Sequence, residues 1–297
     1  MKKTICVLIA MMLLLCSCSS GGGSVSASES SAPESASEPE MTSSAPETTR
    51  QQETKDWKAY ADDFVPMSED EAMSTTILRE NADGYLKGEC AGEGHLLIGE
   101  EEKDGLTWLY FRSWYSEFGF ENGVFTAIAG GSGPVAASYK VEDGRWIQQS
   151  YAIALTGDQA ELAAMFPADI IEKLKTSPTD EEIAKAADAE KAYAKDYLAF
   201  IGRDAEVSTD YVEKTLPDMP EAASNALVSD PKYSVYPNWT GTLERVEDGV
   251  RYVYETKWEG DSKNGGTLTL TKSDYTTNVA AEQLVLSVAA DGTITEK

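Results

Sequence analysis

Residues 106–120 read LTWLYFRSWYSEFGF, and the fold follows from how this stretch alternates. Its even positions carry Trp108, Tyr110, Trp114, Phe118 and Phe120, its odd ones Leu109, Phe111 and Tyr115, so both faces of an extended chain would be apolar. A strand of that kind is central and covered on both sides, or strongly curved. The turn signals around it, Asp104-Gly105, Asn122-Gly123, Gly131 to Gly133 and Asp143-Gly144, divide the region into strands at 95–101, 106–120, 124–130, 134–142 and 145–155. Strands so closely spaced must pair as antiparallel hairpins. The glycines Gly130, Gly131 and Gly133 are read as a turn.

Helices flank this sheet. Ser68 followed by Glu71 has the spacing of a capping box and opens a helix to about Asn81, with Met73, Ile77 and Leu78 on its inner face. Downstream, Pro167 starts a helix through Ile170, Ile171 and Leu174. Pro178 and the acids Asp180, Glu181 and Glu182 start a longer one, whose apolar positions from Ile183 to Ile201 keep helical spacing until Gly202. Residues 204–236 form a proline-rich connection with one short helix near Glu221 to Val228. Beyond it, 240–247, 250–258, 267–273, 283–289 and 293–296 alternate as a second antiparallel meander with one buried face, Val250, Tyr252, Tyr254 and Trp258 inward, Arg251, Glu255 and Lys257 outward. The tetrad Val141 to Gly144 recurs as Val246 to Gly249, read as one turn chemistry used twice, against the alternative of a duplicated β unit. The fold class expected is α+β, antiparallel sheets with a helical pair between them, divided as 56–203, a connection at 204–236 and 237–297.

The first fifty-five residues give an address. Met1, Lys2 and Lys3 precede eleven apolar residues from Ile5 to Leu15, too few to span a hydrocarbon core of about 30 Å. Leu15-Cys16-Ser17-Cys18 then resembles the lipobox of bacterial lipoproteins, with Leu three residues before a Cys and a small residue between them. The resemblance implies a signal peptide at 1–17 and a diacylglyceryl group on Cys18; Cys16 beside the cleavage point is the departure from the pattern. Residues 19–55, with 11 Ser, 6 Glu, 4 Thr and 3 Pro and no aromatic residue, cannot bury enough surface to offset ordering, so 18–55 reads as a lipidated Cys on a disordered tether. The expected location is the outer face of the cell membrane, and the only thiol left in the exported chain is Cys90.

The net charge of −26 works against nucleic acid and anionic lipid headgroups, which are held by Lys and Arg. One histidine, His95, excludes a three-His zinc centre and a two-His metallopeptidase helix. Cys90 five residues before His95 offers a minimal thiol–imidazole pair, with no third orienting residue in sight. Ser132 lacks the spacing of a nucleophile elbow, because Pro134 stands where the last Gly belongs and no His follows. The acidic runs Glu100 to Glu102 and Asp180 to Glu182 lack the spacing of a calcium loop. No catalytic residue, metal site or cofactor is therefore assigned. Trp108, Tyr110, Trp114 and Tyr115 are the candidate ligand-binding residues, as a stacking platform for cell-wall sugars, against the reading that they are sheet core.

Two blocks carry a further resemblance. Gly92 to Gly99 (GEGHLLIG), Phe118 to Phe125 (FGFENGVF), Gly131-Ser132-Gly133-Pro134 and Met165-Phe166-Pro167 form the first. Tyr236-Pro237-Asn238-Trp239 with Asp248 to Thr256 (DGVRYVYET) forms the second. Both resemble extracytoplasmic modules of Gram-positive lipoproteins and of antirepressor-type membrane metallopeptidases related to β-lactam sensors. The resemblance departs at Val135-Ala136-Ala137 and brings none of the peptidase's zinc helix. It implies an extracytoplasmic accessory or sensory module; with no catalytic residue in sight, the expectation is a non-enzymatic module that binds a membrane protein or other ligand, the alternative being cell-wall glycan held by the aromatic strand.

Overall fold

The computed structural model describes residues 64–155, 158–210 and 212–297, all within one compact unit, Pro46–Lys297. The signal segment, Cys18 and the Ser-rich stretch lie outside the described residues. Helix α1 (Glu69–Asn81) begins where the Ser68 hydroxyl accepts the Glu71 N–H at 3.2 Å, and the Glu71 carboxylate reaches back to the N–H of Met67 at 2.7 Å. Strands β1 (Cys90–Lys103), β2 (Leu106–Glu121), β3 (Val124–Glu142) and β4 (Arg145–Ile153) follow as hairpins. Asp104-Gly105, Asn122-Gly123, Asp143-Gly144 and Asp248-Gly249 each place two consecutive residues at positive φ. That is the two-residue turn whose twist matches paired strands, so the repeated tetrad is turn chemistry.

The turn expected at Gly131 to Gly133 is absent, and β3 runs straight through it. The glycines serve close packing: a Cβ on Gly130 would lie 2.1 Å from the Tyr115 carbonyl oxygen. After β4 come α2 (Gln159–Met165), which the sequence reading missed because it buries no side chain, then α3 (Ala168–Leu174) and α4 (Asp180–Phe200). A full capping box at Thr179 and Glu182 opens α4, and Gly202 at φ +67° ends it. The remaining elements are β5 (Val207–Ser208), α5 (Glu221–Ser229), β6 (Gly241–Glu247), β7 (Val250–Asp261), β8 (Gly265–Asp274), β9 (Ala280–Ala289) and β10 (Ile294–Glu296).

The class is α+β with the sheet dominant. The strands form one path, β10-β9-β8-β7-β6-β2-β3-β4, antiparallel except where β5 runs parallel to β3, with β1 also on β2. Two sets of strands thus share a sheet through one register pair, Glu121↔Leu243, at the end of β2 that β1 does not reach.

Strand β2 is covered on both faces, as its alternation required. Leu109, Phe111 and Tyr115 pack with Ala72, Met73, Ile77 and Leu78 of α1. On the opposite face Tyr110 meets Phe166 and Ile170, while Phe118 and Phe120 meet Ala194, Tyr197 and Leu198 of α4. The β6–β10 meander builds its own core from Tyr254, Leu268, Leu270, Leu286 and Val288 with Ala223 of α5. Its other face is not simply solvated: Arg251, expected to point outward, is 8% exposed. It is buried because that end of β7 abuts Glu89, just before β1.

Candidate functional site

The register pair that joins the two strand sets leaves a wedge between them, and charged side chains fill its base. Arg251 donates to both carboxylate oxygens of Glu89, at 2.5 and 2.7 Å, a two-pronged geometry that only a planar guanidinium provides. Tyr197 of α4 donates to the same carboxylate at 2.8 Å. Arg251 also reaches Glu244 of β6 at 3.1 Å, and Arg203 donates to Glu244 at 2.5 and 3.3 Å. Burial works against the charge of Arg251, but Glu89 and Glu244 outweigh it and raise its pKa further above the ordinary value. Burial and the Glu89 charge push the Tyr197 phenol up, so it remains a neutral donor. Arg203 lies 3.8 Å over the Phe120 ring, and Lys214 pairs with Glu121 at 2.8 Å while sitting 4.3 Å over the ring of Trp239.

Above this base opens a cleft of about 780 Å³. Its polar side is Glu89, Glu121, Lys214 and Glu244; its other walls are Leu86, Ile128, Met219, Leu227, Tyr233, Tyr236, Trp239, Leu243, Val246, Leu268 and Leu270. Leu268 and Leu270 are 1% and 2% exposed, so the cleft penetrates to the core of the meander. Pro217 to Pro237, the segment carrying α5, closes it from outside. A concave, mostly apolar space of this size suits one small molecule. The indole Nε1 of Trp239, a buried wall residue, has no hydrogen-bond partner among the described residues.

A second polar cluster lies under α4. The helix rests on β1 where a Cβ on Gly94 would come within 2.5 Å of the Ala186 carbonyl oxygen. Glu190 is 5% exposed and accepts the Ser116 hydroxyl at 2.6 Å. Burial, with the charge of Glu93 adding to it against the Ser116 hydrogen bond, pushes its carboxyl up to about 7. Glu93 accepts Tyr193 at 3.1 Å and lies 3.0 Å from Nδ1 of His95, whose Nε2 is 3.1 Å from Asp70 of α1. Burial opposes the charge on His95, yet Glu93 and Asp70 together raise its pKa.

The residues singled out from sequence are dispersed. Cys90 and His95 are five positions apart on β1, on opposite faces and about 16 Å apart along an extended strand, so no thiol–imidazole pair is assembled. Burial, then Glu89 and Glu117, push the Cys90 thiol far up, away from the nucleophilic thiolate. Ser132 is a strand residue opposite Trp114. Tyr110 and Tyr115, each 3% exposed, belong to cores on opposite faces of β2; Tyr110 donates to Glu101 at 3.0 Å and Tyr115 to Glu117 at 2.5 Å. Trp108 and Trp114 are half-buried, and Trp108 stacks on Tyr110. The four rings do not share one surface. Among the described residues no group of three or more His, Cys, Asp or Glu could hold a metal ion, and no helix is long and apolar enough to cross a membrane.

The cleft residues themselves were not singled out as a site. Two signals pointed to the region: the aromatic and proline-containing run Tyr236 to Trp239 where the connection ends, and, for the charged base, Arg251 amid the aromatic residues of β7. Comparison of the chain with protein-family models, curated proteins and solved structures finds no match.

Proposed function

We propose that the protein is a lipid-anchored binding module on the outer face of a bacterial membrane, attached through a diacylglyceryl group on Cys18 and working through the cleft between its two strand sets. The cleft carries this reading: it is a concave space of about 780 Å³ that reaches a hydrophobic core. Binding rather than catalysis is favoured because the ionisable groups at its base, Glu89, Glu121 and Glu244, are each engaged by a cation of the chain itself. The lipobox-like Leu15 to Cys18 and the Ser-rich tether support the anchor. Thirty-seven residues of this composition separate Cys18 from Asp56, and the partner proposed is a membrane protein or the cell wall.

The anchor is tested by expressing the full chain in a Gram-positive host fed an alkyne-bearing palmitate. The expected result is a labelled protein in the membrane fraction, with both label and membrane association lost in Cys18→Ala. Equal labelling of the variant would overturn the assignment of Cys18.

A further inference from the structure

We infer that the cleft takes an uncharged, largely apolar small molecule, a reading that rests on the cleft being the binding site. Three observations lead there. First, the charges at its base are spent within the chain. Both oxygens of Glu89 accept from Arg251, both of Glu244 from Arg203, and both of Glu121 lie within 3 Å of Lys214. A charged ligand would have to break one of these pairs, leaving a partly buried ion behind, which is costly. The other charged wall residues, Lys87, Arg245 and Asp248, are exposed at the mouth, where solvent screens them.

Second, away from that charged base the cleft is lined by hydrocarbon and aromatic ring. Leu268, Leu270, Tyr236 and Trp239 are between 1% and 7% exposed and still border it. Apolar surface of this kind gains from an apolar guest that removes it from water. Third, apolar side chains stand in solvent at its rim. Leu86 is 69% and Val228 54% exposed, and Leu216, next to Pro217 of the wall, is 67% exposed. A continuous path from an apolar rim to an apolar core favours a guest without a charged end.

The probes for the test are N-phenyl-1-naphthylamine and its 8-sulfonate, which share one aromatic body and differ by a single negative charge. The full chain carrying Cys18→Ala is titrated with each and read by probe fluorescence, the substitution removing acyl chains that would compete. The neutral probe is expected to bind saturably at one per chain and at least tenfold more tightly than the sulfonate. Leu86→Asp, at an exposed position that the fold does not depend on, should weaken it about tenfold. Leu243→Trp, which fills the cleft, should abolish it with the circular dichroism unchanged. Equal or tighter binding of the sulfonate, no saturable binding, or binding indifferent to Leu86→Asp would each overturn the inference. Absence of palmitate label on the unsubstituted chain, with neutral-probe binding by Cys18→Ala intact, would count against the anchor and leave this inference standing. Palmitate label on the unsubstituted chain, with no neutral-probe binding by Cys18→Ala, would do the reverse.

Discussion

The strands β1–β4 and the meander β6–β10 bury their apolar residues in different ways. In the first set β2 is sandwiched, α1 against its odd residues and α3 and α4 against its even ones, and α4 alone is 21 residues long with five of them buried. In the second set the core lies on one face, and its cover is the nine-residue α5, with Ala223 its one buried residue, plus the irregular chain around it. Long helices with regular stripes close a sheet completely. A short helix between prolines spans the same kind of surface without filling it, and the cleft is the space left over. The tightly closed half carries buried carboxylates under α4; the loosely closed half carries the opening.

Removing the connection between the halves should have the largest effect. Arg251→Ala would leave Glu89 buried without its cation, and a loss of about 3–5 kcal/mol of unfolding free energy is expected, read from the urea midpoint. A broadened or two-step transition would show that the halves then unfold separately. A loss below about 1 kcal/mol would mean that the pair is replaced by water and does not join them.

A matched pair of leucines tests the contrast in packing. Leu109 and Leu268 are 0% and 1% exposed, but Leu268 borders the cleft and so has fewer neighbours to lose. Leu109→Ala should cost about 4 kcal/mol and Leu268→Ala about 2–3 kcal/mol. Equal costs in chemical denaturation would mean that the cleft wall is as tightly packed as the sandwiched core.

The polar cluster under α4 makes the closed half sensitive to pH. Unfolded, Glu190 ionises near its ordinary 4.5; folded, it keeps its proton to about 7. Between those values the folded state holds a proton that the unfolded chain has lost, so stability declines as pH rises from 4.5 to 7 and is flat above. His95, raised by Glu93 and Asp70 against its burial, acts with the same sign: its contribution is whole below its ordinary 6.5 and is lost as pH rises through the elevated value. For Glu190 a decline of roughly 2–3 kcal/mol between pH 5 and pH 8 is expected, to which His95 adds in the same direction. Glu190→Gln should flatten most of it in thermal melts across that range, and an unchanged slope would remove Glu190 from the explanation.

Much of this architecture was legible in the sequence because it is locally encoded. Asp-Gly and Asn-Gly pairs fixed four hairpins, Ser68 and Thr179 fixed two helix starts, and the double apolar alternation of 106–120 placed β2 at the centre. What escaped was set by distant neighbours. Gly130 looked like a turn because its real reason, the carbonyl of Tyr115 on the adjacent strand, has no local trace. Arg251 looked solvated because Glu89 is 162 positions away. Trp108, Tyr110, Trp114 and Tyr115 drew attention as an aromatic run, yet strand alternation sends Tyr115 to the other face. The cleft is assembled from segments far apart in sequence, from Leu86 to Leu270, and no single one of them announces it.

The most direct measurement is hydrogen–deuterium exchange of the full chain with and without saturating N-phenyl-1-naphthylamine. The account predicts slower exchange at residues 86–89 and 212–240, in the β6–β7 hairpin and in β8, with α1 and β4 unchanged. No change in those segments, or protection centred on β2 and the helices that sandwich it, would contradict it.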